Sequence, residues 1–153
     1  MAKVVPVGDV NERDALALAA AVESGSEHPI ATAIVAGAQG KSIGIPVAQD
    51  ARALPGTGME ATVAGRVLHV GRPTAVDRAH AVLGPVLTKA EAEGCTAVVL
   101  RENNLPLAVL TVADEVRPDA LSTIKELRDL GIKHVLMLTG DNDTVAGSTA
   151  KNL

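Results

Sequence analysis

Glu23 and His28 are the pair of side chains whose types and spacing point most directly to ligand chemistry: a carboxylate and an imidazole separated by Ser24-Gly25-Ser26-Glu27. Taken alone, Ser26-Glu27-His28-Pro29 is ordinary helix-entry chemistry. Ser26 is the expected N-cap, and Pro29 falls in a first turn where its missing N–H is not needed. The two side chains share a cleft only if the Ser24-Gly25-Ser26 turn folds back. Gly56-Thr57-Gly58, after Pro55, reads as a turn between strands. The missing Cβ atoms would also let backbone approach a flat base or a ribose, with Met59 as an adaptable apolar edge. Val70-Gly71-Arg72 closes a β-like segment, and Arg72 is either a cation for ribose or phosphate or a solvated strand-end charge. Thr139-Gly140-Asp141 follows an apolar run, where a doubly wound sheet exposes ligand-binding groups and where a plain strand-end turn would also stand.

The bulk composition narrows what these residues can do. The chain has 153 residues, enough for one ordinary domain or for one domain plus a piece of a neighbour, and the second fits the changes of pattern along it better. Hydrophobic residues make up 47% of it, yet Phe, Tyr and Trp are absent, so Ala, Val, Leu and Ile must fill the core. A purine would have to be gripped by aliphatic side chains, backbone or an imidazole, which makes His28 the natural candidate. A formal charge of −4, with no run of Lys and Arg, argues against a nucleic-acid surface. Cys95 is the sole cysteine and cannot form an internal disulfide; in the apolar run Cys95-Thr96-Ala97-Val98-Val99-Leu100 it reads as a small buried hydrophobe. His69 and His80 have no partner at metal-ligand spacing, so no metal site is expected. No apolar stretch approaches the ~20 residues that cross a bilayer, and no signal-peptide pattern opens the chain.

The elements that must position these groups follow from periodicity. Residues 12–23 predict an amphipathic helix with Leu16, Ala19 and Val22 on one stripe, and a second helix runs from Pro29 through Ile30, Ala33 and Ile34 until Gly37 and Gly40 end it. From Ile45 to Arg72 the chain turns to short β-branched segments, with Ala64-Gly65 joining Glu60–Val63 to Arg66–Val70 as a hairpin. A helix over 85–93 closed by Gly94, a strand from Thr96 to Arg101, an Asn103-Asn104 turn and a strand from Leu107 to Val112 come next. Beyond Ala113 a helix carries Leu121, Ile124, Leu127 and Leu130 on one side and ends at Gly131, and a buried strand from His134 to Leu138 is expected to follow it. The predicted fold is α/β, α+β-like: an antiparallel sheet flanked by helices, followed by a partial β-α-β segment of a doubly wound unit.

The ordered set Glu23, Ser26-Glu27-His28-Pro29, Gly56-Thr57-Gly58 and Val70-Gly71-Arg72 resembles the ATP-binding domain of heavy-metal-transporting, type IB P-type ATPases. The resemblance covers nearly the whole chain. It implies that Glu23 accepts from the exocyclic amine of adenine, that His28 packs on or beside the ring, and that Gly56, Gly58, Met59 and Gly71 surround the nucleotide. Arg72 departs from the asparagine common in that family, which puts one polar contact in doubt. Thr139, Gly140 and Asp141 match the family's Thr-Gly-Asp motif near the transferred phosphoryl group, and Asp114, Arg117 and Pro118 resemble the return crossing into the phosphorylation domain. The nucleophilic Asp-Lys-Thr-Gly-Thr and the later Gly-Asp-Gly-x-Asn-Asp motif are absent. The resemblance therefore implies a nucleotide-binding domain over 9–110, with partial phosphorylation-domain segments at 1–8 and 111–153, that holds ATP without forming an aspartyl phosphate itself. Its implied partners are ATP and ADP, Mg2+ in the complete pump, and the remaining phosphorylation, actuator and membrane domains, with this domain on the cytoplasmic side. Affinity should be weak, of about millimolar order, because association costs offset most of what burying a purine contributes. The alternatives are a haloacid-dehalogenase-type phosphatase, suggested by the Thr139-Gly140-Asp141 strand end, and a non-catalytic interaction domain.

Overall fold

The structure, a computed structural model, describes residues 3–113 and 119–138, together with Gly147 and Ala150. Its elements in chain order are β1 (Lys3–Pro6), α1 (Glu12–Glu23), α2 (Pro29–Gly40), β2 (Ala48–Leu54), β3 (Gly58–Val63), β4 (Arg66–Gly71), α3 (Ala75–Ala79), α4 (Leu83–Ala92), β5 (Cys95–Glu102), β6 (Leu105–Ala113) and α5 (Ala120–Asp129). The strands form one six-stranded sheet in the order β1-β6-β5-β4-β3-β2, and every pairing in it is antiparallel. Two tight hairpins set its central register. Ala64 and Gly65 both take positive φ, as do Asn103 and Asn104, and two successive positive φ values give the turn twist that matches the twist of the flanking strands.

The sheet is covered on both faces. Leu16, Ala19, Val22 and Ile34 of the helix pair α1 and α2 pack with Ala61, Val63, Leu68, Val70, Val98, Leu100 and Leu110 on one side. Leu83, Leu87 and Ala90 of α4 pack with Ala97, Val99 and Val109 on the other. Successive residues of β5 thus bury into opposite layers, which is why Ala97 to Leu100 reads as an unbroken apolar run rather than an alternation. In α1, Ala15, Ala19, Ala20 and Ala21 are fully buried, and their small side chains let the helix lie close to both α2 and the sheet without aromatic filler.

Three features differ from the sequence-based expectations. Residues 3–6 form a strand bonded to β6, although nothing in their short run distinguishes them from a linker; the pairing Lys3↔Thr111 to Pro6↔Ala108 supplies the order. The strand expected from His134 to Leu138 is not formed: 132–138 has no regular element, and Leu136 and Leu138 are 84% and 94% exposed. A strand needs a neighbour for its backbone groups, and no described strand pairs with this stretch. Finally, α5 forms and stops at Gly131 with φ 93, yet none of its residues is buried. Its apolar stripe has no covering partner among the described residues, with Leu121 and Leu130 exposed. No helix among the described residues is long and apolar enough to cross a membrane.

Candidate functional site

A groove of about 680 Å³ opens at one end of the sheet, and its origin can be read from the ladder. β4 pairs with β5 only as far as Gly71↔Val99, while β5 begins four positions earlier, at Cys95. The chain leaves the sheet after Gly71 because Pro73 has no N–H to continue the ladder and Thr74 starts α3 with a capping box: Thr74 Oγ1 accepts from Asp77 N, and Asp77 Oδ2 accepts from Thr74 N. Cys95, Thr96, Ala97 and Val98 are left without a strand neighbour on that side, and they line the groove.

Two further walls close around this gap. In the first, α1 ends at Glu23 and the turn folds back as required: Ser26 N donates to Glu23 O at 3.0 Å, and Ser24 Oγ donates to Ala21 O at 2.8 Å. Glu23, Ser26, His28 and Ile30 all reach the groove. The N-cap of α2 is His28 rather than Ser26. Its Nδ1 accepts from Ile30 N at 3.2 Å, while Ser26 Oγ accepts from His28 N one step earlier, at 3.3 Å. Pro29 occupies the first helical position, so the cap must precede it directly, and an imidazole nitrogen satisfies the free donor as a hydroxyl would.

The second wall is the β2–β3 turn. Leu54-Pro55-Gly56-Thr57 closes through Thr57 N to Leu54 O at 3.0 Å, with Gly56 at φ 76, the left-handed position after a proline that a type II turn requires. A Cβ at Gly56 would meet no protein atom within 4 Å, so the positive φ and not crowding is what calls for glycine here. Gly58 and Gly71 are there for a different reason. A Cβ at Gly58 would run into the Val70 carbonyl and the Gly71 Cα, and one at Gly71 would run into the Thr57 carbonyl and the His69 ring. These two glycines let the paired ends of β3 and β4 and the β2–β3 turn approach closely. Met59 is a core residue, 9% exposed, that also borders the groove.

The electrostatics are uneven. Glu23 is 7% exposed, and burial pushes its carboxyl above the ordinary 4.5, an effect the Ser26 hydroxyl partly opposes. Arg72 is exposed on the rim and makes no ion pair among the described residues, whereas Arg78, also on the groove, is held by Glu91 at 2.7 Å. Cys95 is half-buried rather than fully buried, and burial followed by the nearby Glu93 charge raises its thiol pKa, which leaves it a weak nucleophile. His69 is pushed down by burial and by the Arg101 charge. Among the described residues no three His, Cys, Asp or Glu side chains converge on a metal position.

The groove therefore gathers Glu23, His28, Gly56, Gly58, Met59, Gly71 and Arg72 from three stretches of chain. Thr139, Gly140 and Asp141, with Asp114, Arg117 and Pro118, lie outside the described residues. Sequence reasoning missed Ile30, Pro73, Arg78, Glu91 and the open edge Cys95 to Val98. The Thr74-x-x-Asp77 capping pattern was a readable sign that the chain turns away from the sheet after β4.

A family model for haloacid dehalogenase-like hydrolases matches residues 3–153. The chain is 42% identical over 142 residues to a probable cobalt/nickel-exporting P-type ATPase of Mycolicibacterium smegmatis, an alignment covering 93% of this chain and 22% of that protein. It is also 42% identical over 149 residues to a zinc/cadmium/lead-transporting P-type ATPase of Escherichia coli, covering 97% of this chain and 20% of that one. The chain thus spans about a fifth of the length of these curated relatives. A crystal structure of a zinc-transporting PIB-type ATPase in the E2·Pi state superposes with a TM-score of 0.78 at 35% identity, over 99% of this chain and 24% of that one. The N-domain of a copper-transporting P-type ATPase gives 0.54 at 31% identity, over 71% of this chain and 92% of that domain.

Proposed function

The chain belongs to the haloacid dehalogenase-like hydrolase family, its relatives there being heavy-metal P-type ATPases, and we propose that it is the ATP-binding part of such a pump. The observation that carries the reading is the convergence of a buried carboxyl, an oriented imidazole, a glycine turn and an unpaired arginine around one groove. The donor set fits an adenine nucleotide. Glu23 accepts from the exocyclic amine, the His28 ring lies beside the purine, apolar Ile30, Leu54 and Met59 cover its faces, and Arg72 offers a cation to ribose or phosphate. The groove selects a purine by acceptor placement and shape, since no aromatic wall exists to stack on.

ATP would supply the transferable phosphoryl group, and these residues bind and orient it. The acceptor aspartate of an Asp-Lys-Thr-Gly-Thr motif is not in this sequence, so the 153-residue chain is expected not to turn ATP over. No magnesium position is assigned, because no acidic cluster converges among the described residues. We place the nucleotide-binding body at 9–110, with the flanking segments belonging to the phosphorylation domain of a cytoplasmic catalytic unit. β1 and β6 pair at one edge of the sheet, with Val4 and Val112 in its core, so the chain enters and leaves the body side by side there. The pump would move a heavy-metal cation, as the printed names of the relatives suggest.

Titrating ATP into 15N-labelled protein should shift the amides of Gly25, Ser26, His28 and of Gly56 to Met59. Shifts confined to residues away from the groove would defeat the assignment.

A further inference from the structure

We infer that Arg101 and Asp77, neither of which lines the groove, are positioning residues that hold the Arg72 rim against the glycine turn. The inference rests on the nucleotide reading only for the choice of ligand used to test it.

Where β4 leaves the sheet, the Arg72 peptide is fastened on both sides. Its N–H donates to Thr57 O at 3.1 Å, and its carbonyl accepts from Arg101 Nη2 at 3.2 Å. Arg101 is 5% exposed, and its other terminal nitrogen donates to Val99 O at 3.3 Å and lies 3.4 Å from His69 Nδ1. The same guanidinium pairs with Asp77, itself 4% exposed. Asp77 Oδ2 in turn accepts from Thr74 N at 2.6 Å and from Thr74 Oγ1 at 2.7 Å. One buried ion pair therefore clamps both ends of Arg72-Pro73-Thr74, and Pro73 between them has a fixed φ.

A buried ion pair is a poor device for stability alone, because its desolvation cost offsets much of the attraction and an apolar pair of equal volume would serve as well or better. What an apolar pair cannot do is direct hydrogen bonds onto the Arg72 carbonyl and the Thr74 amide. The fork matters too: Arg101 serves four partners from two nitrogens, which a single ammonium cannot match. His69, whose ring an added Cβ at Gly71 would meet, lies 3.4 Å from Arg101, so the arginine also bears on the Gly71 end of the β3–β4 pairing. The pair orders the groove before any ligand arrives, which raises affinity without touching the ligand.

The test compares wild type with Arg101→Lys and Asp77→Asn in the 153-residue chain. In ligand-free protein both variants should speed hydrogen exchange at the Arg72 or Thr74 amide relative to the core amides of β5. ATP should bind the folded variants roughly three- to tenfold more weakly, while the set of amides that shift at Gly25 to His28 stays the same. A merely structural role would lower the melting temperature and leave both the relative exchange rates and the ATP affinity of the folded fraction unmoved. Rim exchange unchanged and affinity within about twofold of wild type, in whichever variant folds, overturns the inference. If wild type itself shows no ATP response, the nucleotide reading falls, and the exchange comparison still decides whether the pair positions the rim.

Discussion

Glu23 is a buried carboxyl that works against the fold carrying it. The folded protein holds the proton of this carboxyl more tightly than the unfolded chain does, because burial disfavours the charge. Below the ordinary value of 4.5 the group is protonated in both states and costs nothing; as pH rises through that value, the unfolded state releases its proton first and the folded state loses relative stability. Glu23→Gln is therefore expected to raise the melting temperature at pH 7, with the gain fading as pH falls toward 4.5, while ATP binding weakens. A stability gain that persisted undiminished in acid would show that its cause is not the buried charge. His28 is exposed and caps α2, so His28→Gln should weaken ATP binding and also cost about 0.5–2 kcal/mol of stability through the lost cap, readable in urea denaturation. That these two side chains share a groove was legible from the sequence, since the short Ser24-Gly25-Ser26 turn between them can fold back. The cap was not, because ranking Ser above His ignores that Pro29 fixes where the helix starts.

At the scale of elements, the site is a strand that stops early. β4 departs at Gly71, β5 continues unpaired, and the β2–β3 turn reaches across to the Arg72 amide. Gly71→Ala should destabilise the protein by roughly 1–3 kcal/mol, because the added methyl meets backbone at Thr57 as well as the His69 ring. Equilibrium unfolding measures it, and a variant as stable as wild type would mean that the β3–β4 pairing at Gly71 is looser than the structure has it. The two hairpins were readable because Ala64-Gly65 and Asn103-Asn104 carry their turn chemistry locally. The edge strand β1 was not, since its order comes from pairing with β6, about a hundred residues away.

At the scale of the whole molecule, two covered faces of one sheet account for the stability of the described body, and the described stretch 119–138 buries little against it. α5 buries none of its residues, and 132–138 leaves Leu136 and Leu138 in solvent. Ending the chain at Ala113 should hold the melting temperature within about 2 °C, a change below about half a kcal/mol, and should reduce self-association by removing exposed apolar surface. Calorimetry with sedimentation velocity checks both; a large fall in melting temperature would show that the later residues support the sheet.

Composition, turn residues and periodicity by themselves determined the helices α1 and α2 and the central hairpins, because each depends on neighbours within a few positions. Only the tertiary structure decided that Gly58 and Gly71 serve the close pairing of β3 with β4, while Gly56 is crowded by nothing and serves its turn. It alone placed Arg101 and Asp77 beneath the rim and left the 134–138 run unpaired. Those outcomes turn on which backbone lies opposite which, and close approach between segments far apart in the chain leaves no local mark on either one.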